Sequence, residues 1–249
     1  MNEKDLKIIR EHWESKDTVS LKDENLRELE QRVIIDYLKL INQRSLNDFG
    51  CGDAGDTVLF SKYVDNINAY DYSKSMLSKA SKNIKNKENI RLSKLDILSD
   101  DIETTADIAL TKRLLINLGN FENQRNAIKK IHDSIHKDGY FIMLETSLDG
   151  LNNLNYFRKK AGLSEIPEPY HNTLFDLSKL KNYLQEFFTI EDVRYFSTYY
   201  FFTRVYNQML DKVDMKKYDA IAKEMLVLGL DLLEDKIIGP QFCMLLKKK

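Results

Sequence analysis

The residues best suited to hold a ligand lie in a glycine-rich segment, Asp48-Phe49-Gly50-Cys51-Gly52-Asp53-Ala54-Gly55. The segment follows a predicted strand and precedes a predicted helix. Its glycines permit a tight turn and let the backbone approach a ligand closely, while the helix start adds unpaired N–H donors. The segment therefore predicts a ligand-binding turn at the end of the first strand.

Two further acids follow the next two predicted strands. Asp71 ends the second strand, about twenty residues on, where a carboxylate can hold ribose hydroxyls. Asp96 follows the third strand and precedes Ile97 and Leu98. This set suits an adenine, because the carboxylate accepts from the exocyclic amino group and the aliphatic side chains enclose the ring. Asp48, Asp71 and Asp96 are expected to converge on one nucleoside, since the carboxyl ends of parallel strands meet at one crevice. The alternative is that the three are loop acids and helix caps.

From Ser45 onward, short apolar runs alternate with helical patterns, which favours a parallel sheet covered by helices. Before Ser45 the sequence carries only amphipathic helical patterns. The predicted strands are Leu46–Phe49, Ile67–Tyr70, Ile90–Leu92, Ile108–Leu110, Tyr140–Leu144, Ile190–Phe196 and Gln241–Leu246. The predicted helices among and after them are Thr57–Tyr63, Ser75–Asn83, Asn123–His136, Leu177–Phe187 and Tyr218–Glu234. We predict an α/β fold with a doubly wound, mostly parallel seven-stranded sheet, whose last two strands pair antiparallel at one edge.

No linker long enough to separate two domains occurs, so residues 1–249 are expected to form one domain. Within it we distinguish an N-terminal helical lid (1–44), a cofactor-binding core (45–145), a cap insertion (146–185), and C-terminal strands and helices that complete the sheet and cap (186–249).

The composition limits the functional classes. Thirty-eight Lys and Arg residues face 39 Asp and Glu residues, and this balance argues against a nucleic-acid binder that relies on bulk positive charge. The charged N-terminus and the lack of a long apolar run predict neither a secretory signal nor a membrane span. Two cysteines are too few for a disulfide framework. We expect a cytoplasmic monomer or homodimer that binds a small molecule.

The glycine-rich segment resembles motif I of the class I S-adenosylmethionine-dependent methyltransferases. The acid and first glycines of that motif are matched here by Asp48, Gly50, Cys51 and Gly52. The usual third glycine would fall at Ala54, and Gly55 stands one place later. The segment 111–118, Thr111-Lys112-Arg113-Leu114-Leu115-Ile116-Asn117-Leu118, is similar to the one that lines the methionine end of the cofactor.

This resemblance implies a Rossmann-like methyltransferase fold with N-terminal helices and a helical cap. It implies S-adenosylmethionine as the cofactor and S-adenosylhomocysteine as the product. The cofactor contacts expected from the acids and from the matching motifs are Asp48, Gly50, Cys51, Gly52, Gly55, Asp71, Tyr72, Met76, Asp96, Ile97, Leu98 and Thr111.

Two other functions stay open. The pattern Gly50-x-Gly52-x-x-Gly55 with Asp71 also satisfies the fingerprint of an NAD(P)-dependent oxidoreductase. Against it, Asp48 would repel a pyrophosphate but would attract a sulfonium ligand that also carries an amino group. A non-catalytic relative that binds the cofactor or a partner enzyme is the other alternative.

Methyl transfer from a sulfonium is an in-line displacement, so the protein mainly aligns the reactants and excludes water. A base is needed only when the acceptor must lose a proton, and the candidates are His171 in the cap and Glu145 at the end of the fifth strand. Each also has a structural interpretation, as a loop histidine or as a carboxylate bound by backbone. An anionic acceptor would need a cation instead, and Arg113 and Arg204 are the candidates.

The residues expected to contact the acceptor are Arg113, Asn117, Tyr170, Asn172, Tyr199, Tyr200 and Arg204. His132 and His136 are expected to share a helix face in a structural role, and no metal site is expected. The segments Arg113–Leu118 and Tyr170–Asn172 also resemble, more loosely, methyltransferases of bacterial surface-polysaccharide (capsule) pathways. That likeness implies an oxygen acceptor on a sugar or on a phosphate-type group.

Overall fold

The computed structural model describes residues 5–15, 22–210, 215–227, 233 and 236–249. Strands β1 to β7 comprise Ser45–Phe49, Asn66–Asp71, Ile90–Lys94, Ala106–Lys112, Ile135–Thr146, Phe188–Tyr195 and Gln241–Lys248. They form one seven-stranded sheet in the order β3-β2-β1-β4-β5-β7-β6. β1 to β5 pair in parallel, while β7 runs antiparallel to both β5 and β6. The predicted mostly parallel sheet with an antiparallel edge pair is confirmed.

Helices flank the sheet and precede it. Helices α1 to α10 comprise Leu6–Glu14, Glu24–Ile41, Gly55–Phe60, Lys74–Asn83, Phe121–Asp133, Leu148–Lys160, Leu177–Leu184, Ser197–Phe201, Asn207–Met209 and Met215–Val227. A 3₁₀ turn covers Leu115–Asn117 and a π turn covers Phe202–Tyr206. The helix predicted to reach Glu234 is observed to Val227, and Glu234 lies outside the described residues.

Two apolar clusters hold the helices on opposite faces of the sheet. Successive side chains of a strand point to opposite faces. In β4, Ile108 and Leu110 accordingly pack in the cluster that contains Ile34 of α2. Ala109, between them, packs in the other cluster with Ile128 of α5. The doubly covered sheet explains why the central strands carry near-continuous apolar runs.

The prediction of one helix over Asn123–His136 is wrong at its C-terminal end. Helix α5 ends at Asp133, and β5 begins two residues later. His136 therefore lies on a strand, where its Nδ1 faces Asp107 Oδ1 at 3.1 Å, and it does not share a helix face with His132.

Gly139 is a point of close approach inside β5. A Cβ atom there would lie 2.4 Å from the backbone oxygen of Asp107. The preceding residue, Asp138, has a φ of 64°, and the β4–β5 register shifts between Ala106 and Ile108. A glycine is required because the neighbouring strand leaves no space for a side chain.

Among the described residues, no helix is long and apolar enough to cross a membrane.

Candidate active site

The turn after β1 brings backbone to the edge of a cavity. Gly50, Gly52 and Ala54 all have left-handed backbone, with φ of 74°, 57° and 59°. The N–H groups of Gly50 and Cys51 both donate to Tyr70 O, at 2.8 and 2.9 Å, which fixes the turn against β2. A Cβ atom on Gly52 would meet nothing within 4 Å, so its backbone faces open space. Ala54 itself adopts the conformation expected of a third glycine, at a cost of about 1 kcal/mol.

The carboxylates at the ends of β1 and β2 are buried beside this turn. Asp48 is 4% exposed and accepts a hydrogen bond from Thr57 Oγ1 at 2.6 Å. Burial raises the pKa of Asp48 to about 7. Asp71 accepts from the N–H groups of Gly52 and Ser73, at 2.9 and 2.8 Å. Burial also raises the pKa of Asp71, although these two hydrogen bonds oppose the shift.

These carboxylates line a cavity of about 300 Å³ at the carboxyl ends of the strands, which we call the cofactor cavity. Twelve of the residues predicted to bind cofactor or acceptor lie on its wall: Asp48, Gly50, Cys51, Gly52, Asp71, Tyr72, Met76, Asp96, Ile97, Leu98, Arg113 and Asn117. Two predicted cofactor residues do not line it. Thr111 is fully buried, and Gly55 faces the Arg27 side chain, 3.1 Å from the position of a built Cβ.

Helix α1 closes the cofactor cavity from above. Arg10 donates to Asp96 Oδ2 at 2.5 Å, and Trp13 Nε1 donates to Asn117 Oδ1 at 3.1 Å. Glu14 accepts from two N–H groups at the start of α4, at 3.2 and 3.3 Å, where the helix dipole favours a carboxylate. Sequence reasoning expected a lid but missed these contacts, because the only local signal was the amphipathic pattern of the helix.

A buried charge network forms the wall between α2, α3 and β4. Asp56 is bound by Lys112 and by Arg27, the latter at 2.8 Å. Burial works against ionisation of Asp56, but the Lys112 charge and these hydrogen bonds outweigh it and lower its pKa to about 2. Glu30 is fully buried and pairs with both Lys112 and Arg113. No local pattern marked this network, because its members come from three separate elements.

A second cavity, of about 470 Å³, lies beneath the cap; we call it the acceptor cavity. Trp13 and Arg113 line both cavities and therefore mark the junction between them. Asn117 of the cofactor cavity accepts a hydrogen bond from Asn172 of the acceptor cavity at 3.1 Å. The predicted acceptor and catalytic residues on the wall of the acceptor cavity are Arg113, His171, Asn172, Tyr200 and Arg204.

His171 enters the acceptor cavity beside a residue of the lid. Its ring stacks on His12 with 4.2 Å between the centroids, and its Nδ1 is buried without a hydrogen-bond partner. Burial and the neighbouring His12 lower the pKa of His171. A neutral imidazole with a free nitrogen is able to accept a proton. Tyr170 is largely exposed and lies outside the cavity wall, with its hydroxyl 2.9 Å from His12 Nδ1.

Glu145, the other expected base, is placed outside both cavities. It is fully buried, and burial raises its pKa to about 7. Its carboxylate accepts hydrogen bonds of 3.0 to 3.3 Å from the backbone N–H groups of Leu114, Leu115 and Ile116. The prediction of Glu145 as a catalytic base is therefore corrected. Its carboxylate stabilises the turn after β4 through these hydrogen bonds and does not line either cavity.

The aromatic segment of α8 divides between core and cavity. Tyr199 is fully buried and donates to Asp23 Oδ1 at 2.7 Å, so the expectation of an acceptor contact is corrected for this residue. Tyr200 reaches the acceptor cavity and donates to Gln241. Arg204 also lines the acceptor cavity and pairs with Asp23.

The groups of the cofactor cavity fit an S-adenosylmethionine molecule. A carboxylate offers about four lone-pair sites, so Asp71 keeps acceptor capacity for ribose hydroxyls beyond its two backbone bonds. Asp48 would face the cationic methionine part, and Ile97 with Leu98 supplies apolar contact for an adenine. The open space beside Gly52 lets backbone approach the ligand.

Comparisons with known proteins agree with this geometry. Residues 47–143 match the family model described as a methyltransferase domain. No curated protein sequence matches the chain. Among solved structures, the N-methyltransferase NodS from Bradyrhizobium japonicum WM9, in complex with S-adenosyl-L-homocysteine, has a TM-score of 0.60 at 12% identity, covering 98% of this chain and 97% of its own. The magnesium protoporphyrin IX methyltransferase from Synechocystis PCC 6803 has a TM-score of 0.63 at 12% identity, and the match covers 98% of this chain and 100% of that protein's chain.

At these identities the solved structures establish the fold, while the family match identifies the domain at its centre. The matched residues include the glycine turn, Asp71 and Asp96, which are the parts of the chain that form the cofactor cavity. The chain therefore contains a methyltransferase domain over residues 47–143, and S-adenosylmethionine is the cofactor that its cavity fits.

Proposed function

We propose that this methyltransferase acts on an oxygen of a small molecule held in the acceptor cavity, and that the oxygen belongs to a sugar or to a phosphate-type group of a bacterial surface polysaccharide or its precursor. One observation carries the proposal of a cavity-bound acceptor: Trp13 and Arg113 line both cavities, so an acceptor beneath the cap adjoins the methyl donor. The acceptor cavity has the size of a small-molecule site. The choice of a sugar or phosphate-type oxygen is supported by the sequence resemblance alone.

S-adenosylmethionine supplies a methyl group on a positively charged sulfur, which is already an activated leaving group. The protein has to orient the two reactants and exclude water. Helix α1 contributes to the alignment, because Trp13 lines both cavities and is held by Asn117 at 3.1 Å. If the acceptor is a neutral hydroxyl, His171 is the residue of the acceptor cavity placed to take its proton.

The roles of the chain segments are part of the same proposal. Residues 1–44 act as the lid, 45–145 hold the cofactor, 146–185 form the cap over the acceptor, and 186–249 complete the sheet and cap. We propose that the protein works in the cytoplasm as a monomer or homodimer, without a nucleic-acid or membrane partner.

The test is a transfer assay with a defined panel of acceptors. The full chain is incubated with isotopically labelled S-adenosylmethionine and with nucleotide sugars, sugar phosphates, free sugars and amines, and products are identified by mass spectrometry. We expect a labelled methyl on an oxygen of a sugar or phosphate compound. A matched control is Lys129→Gln, which alters a surface ion pair with Asp133 and no cavity residue.

Three results would contradict the proposal. Tight binding of NADH or NADPH, without binding of S-adenosylhomocysteine, would favour an oxidoreductase. Binding of S-adenosylhomocysteine without any methylated product would favour a non-catalytic binding protein. A methyl found on a nitrogen would replace the oxygen acceptor by an amine.

A further inference from the structure

The wall of the acceptor cavity contains polar atoms that lack partners. Among the described residues, Arg113 Nε, Thr146 Oγ1 and His171 Nδ1 are buried without a hydrogen bond, and all three residues line this cavity. Buried polar atoms in folded proteins are nearly always hydrogen-bonded. Three unpaired atoms around one cavity indicate a ligand that supplies their partners. Two of them, the Arg113 N–H and the Thr146 hydroxyl, are able to donate.

The charges around this cavity are predominantly positive. Lys22, Arg113 and Arg204 line it, against the single carboxylate of Asp23. Asp23 pairs with Arg204, and Glu30 pairs with Arg113 from outside the acceptor cavity. The Glu30 contact uses Nη1 of Arg113 and leaves its Nε without a partner. The lining therefore retains an N–H donor of Arg113 that no described residue occupies.

We propose that the acceptor presents an anionic oxygen, of a carboxylate or a phosphate group, at the junction of the two cavities, where Arg113 and Thr146 donate hydrogen bonds to it. This inference rests on the proposed function and specifies its acceptor. The anionic oxygen supplies the electron pair for the new C–O bond, while the electrons of the breaking C–S bond pass to sulfur. The products are a methyl ester and the neutral thioether S-adenosylhomocysteine, and no proton has to leave.

Electrostatics at the junction favour this acceptor over an amine. Arg113 lines the same cavity as the positively charged sulfur, so two cations approach one point. An amine acceptor takes over the sulfonium charge as it is methylated, so the product would be an ammonium cation beside Arg113. An anionic oxygen instead cancels the sulfonium charge during transfer. The apolar side chains of Leu151, Leu154 and Leu174 line the cavity and suit an acceptor with an apolar body.

The experiment measures binding by matched probes that differ in one group. Benzoate, phenyl phosphate, benzamide and benzylamine are each titrated by calorimetry into the full chain saturated with S-adenosylhomocysteine. We expect benzoate or phenyl phosphate to bind at least about tenfold more tightly than benzamide, and benzylamine to bind weakest, because charge-assisted hydrogen bonds to Arg113 require an anion. Whichever anion binds more tightly distinguishes a carboxylate from a phosphate acceptor.

Two variants connect that preference to the structure. Thr146→Val keeps the side-chain volume and removes the hydroxyl, and Arg113→Gln removes the cation; each should reduce the preference for the anion several-fold. If Arg113→Gln fails to fold because Glu30 loses its partner, Thr146→Val still carries the test. Thr146 lines only the acceptor cavity, so its variant should bind S-adenosylhomocysteine normally. The matched control is Arg125→Gln, since Arg125 also has an unpaired Nε but lines neither cavity.

The outcomes separate the two proposals. Failure of the wild-type chain to bind S-adenosylhomocysteine would remove the proposed function. Normal binding of S-adenosylhomocysteine, with benzamide or benzylamine binding as well as the anions or with no anion binding at all, would overturn the anionic acceptor alone. An unchanged preference in both Thr146→Val and Arg113→Gln would overturn it as well.

Discussion

Replacing Asp48 by Asn should stabilise the ligand-free protein above neutral pH. Asp48 lies at the end of β1, and burial raises the pKa of its carboxyl group to about 7. Thr57 Oγ1 donates to it at 2.6 Å, which opposes this shift without cancelling it. Asn is nearly isosteric and keeps an oxygen that accepts from Thr57. The substitution therefore removes an ionisable group while preserving the local geometry.

The magnitude follows from the two pKa values of Asp48. The pKa of Asp48 rises from an ordinary value of 3.8 to about 7 in the folded protein. By linkage, this difference lowers the free energy of unfolding by up to about 4 kcal/mol. Because the folded protein holds the proton more tightly than the unfolded chain, this carboxylate lowers stability progressively as pH rises from about 4 to about 7. Asn has no such dependence. The gain from Asp48→Asn should be small near pH 4 and should approach its full size above pH 7.

The assay is urea unfolding of wild type and Asp48→Asn, without cofactor, at several pH values from 4.5 to about 8.5. Glu145, whose pKa burial also raises to about 7, is present in both proteins and cancels in the difference. A difference in unfolding free energy that does not change with pH would refute the reasoning. So would a variant that is less stable than wild type at pH 8.

The same carboxylate should make cofactor binding depend on pH. A cationic amino group pairs with Asp48 only when Asp48 is ionised, so the affinity of wild type for S-adenosylhomocysteine should rise as pH increases towards about 7 and then level off. Calorimetry at pH 6 in buffers of different ionisation enthalpy should detect proton release on binding. Asp48→Asn should bind more weakly and should lose this pH dependence.

Three further predictions concern two residues of the cofactor cavity and the turn after β4. Asp71→Ala should weaken binding of S-adenosylhomocysteine by about 1–3 kcal/mol, measured by calorimetry, because ribose hydroxyls lose their acceptor; an unchanged affinity would mean that the ribose lies elsewhere. Trp13→Ala should speed dissociation of S-adenosylhomocysteine in stopped-flow measurements, since Trp13 of α1 lines the cavity; an unaltered rate would contradict the role of α1 as a lid. Glu145→Ala should lower the free energy of unfolding by about 2 kcal/mol, because it strands buried backbone N–H groups; equal stability in urea unfolding would contradict bracing.

The sheet and most of the cofactor cavity could be predicted because their determinants are local. Apolar runs alternating with helical patterns indicate parallel strands, and the carboxyl ends of such strands must meet at one edge. Asp48, Asp71 and Asp96 follow three successive strands, and all three line one cavity. Ala54 shows the limit of this reasoning. Its residue type suggested a missing glycine, yet the backbone adopts the left-handed conformation at Ala54 itself.

The lid contacts could not be predicted, because they join residues far apart in the chain. Arg10 and Asp96 are 86 positions apart, and Trp13 and Asn117 are 104 apart. A periodic pattern identifies an amphipathic helix but not the surface that it covers. The C-terminal end of α5 was predicted wrongly for a different reason, because the helical pattern continues past Asp133 into residues that form β5.

Arg113 shows how distant partners change what a local motif can do. Adjacent Lys112 and Arg113 after β4 suggest two cations ready for an anion, but Glu30 of α2 pairs with both, and Asp56 pairs with Lys112. Lys112 is thereby committed to the protein itself, whereas Arg113 retains Nε without a partner. The specificity of the acceptor cavity should therefore depend on one N–H group of Arg113 more than on its net charge, so that Arg113→Lys, which keeps the charge, should still impair recognition of an anionic acceptor.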